Sequence, residues 1–209
     1  IKEVNLFITG VGNVGGELLN QLNHQEDYLN KNLNIKINVV ALSNSKKMHF
    51  NSKGINLNNW SNLLKNGSNA DPEKFFKKTK NINLRNSIFI DNTASAHISK
   101  FYSYYLKKSI SVVTCNKIAC ADEFENYKEL KYLSKNYNAP FLFETNVGAS
   151  LPIIDTLNNL VASGDKIISI QAVLSGCLLY TSPSPRDQRG SGLPSWACKK
   201  KTGGGGGGG

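Results

Sequence analysis

Residues 4–22 read VNLFITGVGNVGGELLNQL, and this stretch decides the fold. Val4–Thr9 is a short run dense in apolar and β-branched residues, which predicts a strand. Gly10-Val11-Gly12-Asn13-Val14-Gly15 then spells G-x-G-x-x-G. Beyond it, Leu18, Leu19 and Leu22 recur at helical spacing. Strand, glycine turn and helix are the context in which this motif binds a dinucleotide. Gly10 permits the tight turn, Gly12 lets the backbone approach a pyrophosphate, and Gly15 lets the helix close on the strand. The helix start offers free N–H groups and a positive dipole end to the phosphates. A tight structural turn without a ligand is the alternative reading.

The same alternation continues along the chain. Further strands are expected at Asn34–Leu42, in SIFIDNT (87–93), SISVVTC (109–115) and APFLFET (139–145), and in DKIISIQAVLSG (165–176). Between them, WSNLLKNG (60–67) ends on Asn-Gly, a helix stop, and DPEKFFKKTK (71–80) opens on Asp-Pro, a helix start. SAHISKFYSYYLKK (95–108), DEFENYKELKYLSKN (122–136) and SLPIIDTLNNLVAS (150–163) read as helices. SNSKKMHFNSKGINLNN (43–59) is polar and reads as a loop, and NHQEDYLNKNLN (23–34) as an insertion into the first βαβ unit. Strands alternating with helices predict an α/β fold of the Rossmann-like, doubly wound kind. Its sheet is mainly parallel, with helices on both faces.

Composition narrows the function classes. The 209 residues carry 25 Lys and Arg against 15 Asp and Glu, a net charge of +10. Five of the bases (Arg186, Arg189, Lys199–Lys201) and one acid (Asp187) lie beyond Cys177, and without them the charge is +6. The lysines are scattered and not interleaved with aromatic residues, so the charge argues no nucleic-acid partner. No apolar run reaches membrane-spanning length, and no secretory signal is visible, so a cytoplasmic protein is expected. Cys115 and Cys120 have neither a zinc nor a redox-motif spacing and read as reduced thiols. His24, His49 and His97 stand apart from any ligand cluster.

A dinucleotide site that prefers NAD places an acid at the end of the second strand, where it binds the ribose hydroxyls. Here the strand runs into Ser43-Asn44-Ser45-Lys46-Lys47. Hydroxyl, amide and ammonium donors replace the acid, and a 2′-phosphate would find them. Ser43 and Lys46 are therefore candidate cofactor residues and NADP the expected cofactor, with NAD as an alternative. A solvated loop is the competing reading of the lysine pair. Thr93 and Ser95 follow a strand end at the edge where α/β sheets bind ligands. Either could also cap the next helix.

FITGVGNVGGELLNQL, ALSNSKK, GINLNNW, FIDNTAS, VVTCNKIA, FLFETNVGASLPII and LSG occur in this order between Phe7 and Gly176. Together they resemble the dinucleotide-binding part of homoserine dehydrogenase, above all the dehydrogenase half of bifunctional aspartokinase–homoserine dehydrogenases. The resemblance implies reversible, NAD(P)-dependent interconversion of L-aspartate 4-semialdehyde and L-homoserine, a step toward threonine and methionine. It places Asn13 and Val14 near the pyrophosphate and nicotinamide, Thr93 on the cofactor, and Lys117 near nicotinamide and substrate. It also implies a sodium or similar monovalent cation on Glu144 and the backbone carbonyls of Val147, Ala149 and Leu151. Oxygen ligands suit such a hard cation. The intact family enzyme would act on that small-molecule substrate as a homo-oligomer, away from membranes. Another two-domain Rossmann oxidoreductase and a noncatalytic nucleotide-binding module are the alternatives.

After LSG the family pattern stops. Cys177–Asp187, CLLYTSPSPRD, reads like a transposase-type sequencing adapter translated in frame, and seven glycines close the chain. The expectation is a dinucleotide-binding domain over 1–176, cut before the catalytic and dimer-forming region. The tail, 177–209, is expected to be artefactual or disordered. No catalytic residue is expected before Gly176, so the piece itself should be inactive.

Overall fold

The computed structural model describes residues 1–149 and 151–170. These fall into two units, Ile1–Asn146 and a second that begins at Val147. The boundary expected at Gly176 and the tail beyond it lie outside the described residues.

The first unit opens with β1 (Lys2–Thr9), α1 (Asn13–Asn32), β2 (Ile35–Ser43) and β3 (Lys47–Phe50). It continues with α2 (Trp60–Lys65), β4 (Ser68–Asn69), α3 (Pro72–Ile82) and β5 (Ser87–Asp91). Then come α4 (Ala96–Ser99), α5 (Tyr102–Leu106), β6 (Ser111–Thr114), α6 (Ile118–Ala121), α7 (Phe124–Asn136) and β7 (Phe141–Leu142). A 3₁₀ turn at Glu144–Asn146 ends it. The strands form one sheet in the order β4-β3-β2-β1-β5-β6-β7. From β2 to β7 all pairings are parallel, while β3 and β4 add an antiparallel edge. The winding direction reverses between β1 and β5, which is where such sheets open a crevice for ligands.

Alternation along the strands sends side chains to two cores. Phe7 of β1 and Phe89 of β5 pack with Phe75 of α3, Tyr102 and Tyr105 of α5, and Leu130 and Leu133 of α7. Leu6, Ile8 and Ile90 face the other way, toward Leu19 of α1 and Leu64 of α2. Helices thus cover both faces, as the sequence predicts. Phe7, Ile8 and Val40 are fully enclosed, each worth about 1.5–3 kcal/mol of transfer free energy. A register shift between Leu6 and Phe7 inserts one extra residue of β2 beside β1.

Several segments differ from the sequence reading, and the strand expected at 139–145 is reduced to Phe141–Leu142. The insertion at 23–34 is mostly helix, since α1 runs on to Asn32. Lys31 and Asp27 pair one turn apart on its exposed face. The expected loop at 43–59 contains β3, a hairpin partner of β2 that buries Met48. Its turn is tied by Asn44, whose Oδ1 accepts the N–H groups of Lys46 and Lys47. The helix expected at 95–108 is two short ones, because the N–H of Phe101 bonds the carbonyl of Ile98 and tightens the chain between them.

In the second unit, Gly148 and Ala149 take positive φ (72° and 52°) ahead of α8 (Ile153–Ala162). A Cβ on Gly148 would lie 2.2 Å from Cδ1 of Ile153, and its positive φ strains any other residue, so glycine is favoured there. Residues 165–170 carry no regular structure, and the rest of the strand expected at 165–176 lies outside the described residues. No described helix is long and apolar enough to cross a membrane.

Candidate functional site

The carboxyl ends of β2, β1, β5 and β6 finish level with one another. Thr9 is paired with Ser43 on one side and Asp91 on the other, and Asp91 with Thr114. The turns that follow these strands meet at one edge. After β1, the N–H of Gly10 bonds Ser43 O at 2.8 Å, so the glycine turn is pinned to the end of β2.

The three glycines of the motif have different surroundings. Gly10 sits at φ 88°, and a Cβ there would lie 2.8 Å from the backbone of Asn92 and the methyl of Thr93. A Cβ on Gly15 would meet the Gly10 carbonyl oxygen at 1.9 Å, so this glycine lets α1 close on the turn. A Cβ on Gly12 would meet no protein atom within 4 Å. Stability of the fold requires glycine at the first and third positions but not at the second. The second is where a pyrophosphate would need bare backbone. The twenty-residue α1 starts at Asn13 with no acidic residue in its first turn, which leaves its positive end open to an anion. The residues present fit a dinucleotide.

Beside this turn is a cavity of about 270 Å³. Its polar wall is Thr9, Gly10, Ser43, Asn44, Thr93 and Ser95, and Phe75, Ile98 and Phe101 line its apolar side. Gly10, Ser43, Thr93 and Ser95, all singled out in the sequence, are thereby brought together. Asn13 and Val14 stand exposed at the start of α1, beside Gly12. Lys46 is exposed on the β2–β3 turn and does not line the cavity. Its neighbour Lys47 donates to Oδ1 of Asn69 at 3.2 Å. Lys117 is exposed at the start of α6, after β6, and also lies off the cavity.

The hydroxyl of Thr93 accepts the Ser95 N–H at 3.1 Å, and Ser95 caps α4 by accepting from Ile98 N–H at 3.4 Å. Both residues therefore shape the turn as well as line the cavity. The cation-holding residues expected from the sequence are divided between the two units, with Glu144 in the first and Val147, Ala149 and Leu151 in the second.

Sequence reasoning missed a buried polar cluster beneath this edge. Asp91 ends β5 and is completely enclosed. Its carboxylate accepts from Thr93 N–H at 2.8 Å, Tyr102 O–H at 2.5 Å and Asn116 Nδ2 at 3.0 Å. The Tyr102 hydroxyl also lies 2.8 Å from Oγ1 of Thr114. Burial, reinforced by the neighbouring Asp91, pushes the Tyr102 phenol far above its usual range, so it stays a donor. Burial raises the thiols of Cys115 and Cys120 as well, which favours their protonated form. The available signal was an acid at a strand end inside FIDNT. Its partners lie 11 and 25 residues away, too far for any spacing rule.

Comparison with known proteins follows the same outline. A family described as homoserine dehydrogenase, NAD binding domain, matches residues 10–144. A bifunctional aspartokinase/homoserine dehydrogenase of Haemophilus influenzae is 39% identical over 180 residues, 86% of this chain and 22% of that protein. A homoserine dehydrogenase of Schizosaccharomyces pombe is 38% identical over 193 residues, 90% of this chain and 51% of that protein. The chain thus spans about a fifth to a half of the length of these relatives. Among solved structures, a Candida auris protein of unknown function matches with a TM-score of 0.73 at 29% identity, covering 86% of this chain and 49% of that one. A hyperthermophilic archaeal homoserine dehydrogenase in complex with NADPH matches with a TM-score of 0.63 at 26% identity, covering 77% of this chain and 50% of that one.

Proposed function

The chain belongs to the homoserine dehydrogenase family, whose NAD-binding domain it carries, and from this premise we propose that it holds NADP for the interconversion of L-aspartate 4-semialdehyde and L-homoserine. The observation that carries the reading is the open side of Gly12 at the start of α1, within a turn that Gly10 and Gly15 close tightly. When bound, the cofactor supplies the hydride. The chain's own residues bind and orient it. The backbone of Gly10–Gly15 receives the pyrophosphate, with Asn13 and Val14 at its nicotinamide side. Thr93 and Ser95 line the wall of the cavity beside that turn. Lys117, exposed after β6, brings positive charge to an anionic substrate.

Three features favour NADP over NAD. No acid stands at the end of β2, where Ser43 lines the cavity and its hydroxyl donates to the carbonyls of its own turn. Lys47 is engaged with Asn69 while Lys46 remains exposed on the same turn. The archaeal relative was solved with NADPH. A sodium or similar monovalent cation on Glu144, Val147, Ala149 and Leu151 belongs to the same reading, as does homo-oligomeric assembly of the intact enzyme.

The test is titration of the 209-residue chain with NADPH and NADH. NADPH is expected to bind more tightly. Lys46→Ala should weaken NADPH roughly threefold to tenfold and leave NADH nearly unchanged, with a smaller effect at high salt. Equal affinity for both cofactors, insensitive to Lys46, would refute the preference. The domain alone is expected to show no turnover with L-homoserine.

A further inference from the structure

We propose that Asp91 and Asn116 are positioning residues that lock the Thr93–Ser95 turn to the Lys117 turn, so that the cofactor-side and substrate-side loops are held as one body. The inference rests on the reading of this sheet edge as the dinucleotide site.

The backbone ladder between β5 and β6 ends at the pair Asp91 and Thr114. One more backbone bond, from Cys115 N–H to Asp91 O, follows it. Beyond that point side chains join the two loops. Asn116 spends both hydrogens of its amide on the β5 side, one on the Asp91 carboxylate at 3.0 Å and one on the Ser95 carbonyl at 3.1 Å. Its Oδ1 accepts from Ile118 N–H at 3.1 Å, on its own loop. Its backbone carbonyl accepts from Asn146 Nδ2 at 3.3 Å. Lys117 is thus flanked by Asn116, which is bonded to the other loop, and by Ile118, whose N–H is bonded to Asn116. Asp91 in turn fixes Thr93 through its N–H at 2.8 Å.

The cluster is costly in a way that core packing does not require. Among the described residues no Lys, Arg or His forms an ion pair with Asp91. A buried carboxylate without a cation loses several kcal/mol of hydration, and apolar residues would fill the same space without that penalty. What the carboxylate supplies is acceptors only, aimed at three donors on three segments. Asp91→Asn keeps the shape but turns one oxygen into a donor. In either orientation of the amide, a donor then faces Thr93 N–H or the Tyr102 and Asn116 donors.

The experiment uses the ¹⁵N-labelled 209-residue chain, with amide shifts and NADPH affinity measured on each variant. In Asp91→Asn the amides of Thr93 and Ile118 should both shift, and the NADPH Kd should rise roughly tenfold. Asn116→Ala tests the link from the other side: the Thr93–Ser95 amides should shift although the change is on the Lys117 loop. Shifts confined to the mutated loop, or an NADPH Kd within about twofold of wild type in folded Asp91→Asn, would overturn the proposal. A merely structural role lowers Tm without moving the opposite loop. Should Asp91→Asn fail to fold, Asn116→Ala decides alone. Should the wild-type chain bind no NADPH, the dinucleotide reading fails, and the amide shifts still decide whether the loops are coupled.

Discussion

Gly12 and Gly15 stand three residues apart and constrain different properties. At Gly15 an added methyl would lie 1.9 Å from the Gly10 carbonyl oxygen, an overlap relieved only by lifting the start of α1 off the turn. Gly15→Ala should therefore lower stability by about 1–3 kcal/mol, read as a fall in Tm. At Gly12 φ is negative (−76°) and an added Cβ would meet no protein atom within 4 Å. Gly12→Ala should cost less Tm than Gly15→Ala and reduce NADPH affinity by roughly tenfold, since the methyl would intrude on the pyrophosphate position. The tight packing at Gly10 and Gly15 was legible in the sequence because the motif is local. The Asp91–Asn116 link was not, because its two ends are 25 residues apart and meet only after β5 and β6 pair.

At the scale of elements, α3 shows how local chemistry sets a boundary. Asp71 caps it by accepting from Lys74 N–H at 3.0 Å, and Pro72 fills the first helical position. The bond to the Lys74 amide holds the Asp71 carboxyl below its usual pKa. The folded chain therefore binds this proton less tightly than the unfolded chain. The stabilisation is complete above the ordinary carboxylate pKa and is lost as pH falls through the depressed value. Asp71→Ala should lower Tm at neutral pH, and the gap to wild type should close in strong acid, as thermal melts between these limits would record. The start of α3 was readable from Asp-Pro. The β3 strand was not, since KMHF is short and set in a polar stretch, and pairing with β2 supplies its order. The split between α4 and α5 was equally hidden, because SAHISKFYSYYLKK has helical periodicity throughout and the break is a single tightened bond at Phe101.

At the scale of the whole molecule, the sheet brings four strand ends level and gathers their turns at one edge. The alternation of strands and helices predicted this layout. It follows that chemistry should map to that edge and nowhere else on the first unit. The opposite end of the sheet has its own concavity lined by Lys80, Arg85 and Lys108, which tests whether positive charge alone would attract the phosphates. The most direct measurement is amide-shift mapping of the ¹⁵N-labelled chain during titration with NADPH. Saturable shifts concentrated at Gly10–Gly16, Ser43–Lys47 and Thr93–Ser95 are predicted. No shifts, or shifts centred on Lys80, Arg85 and Lys108, would contradict the assignment of the glycine turn as the dinucleotide site.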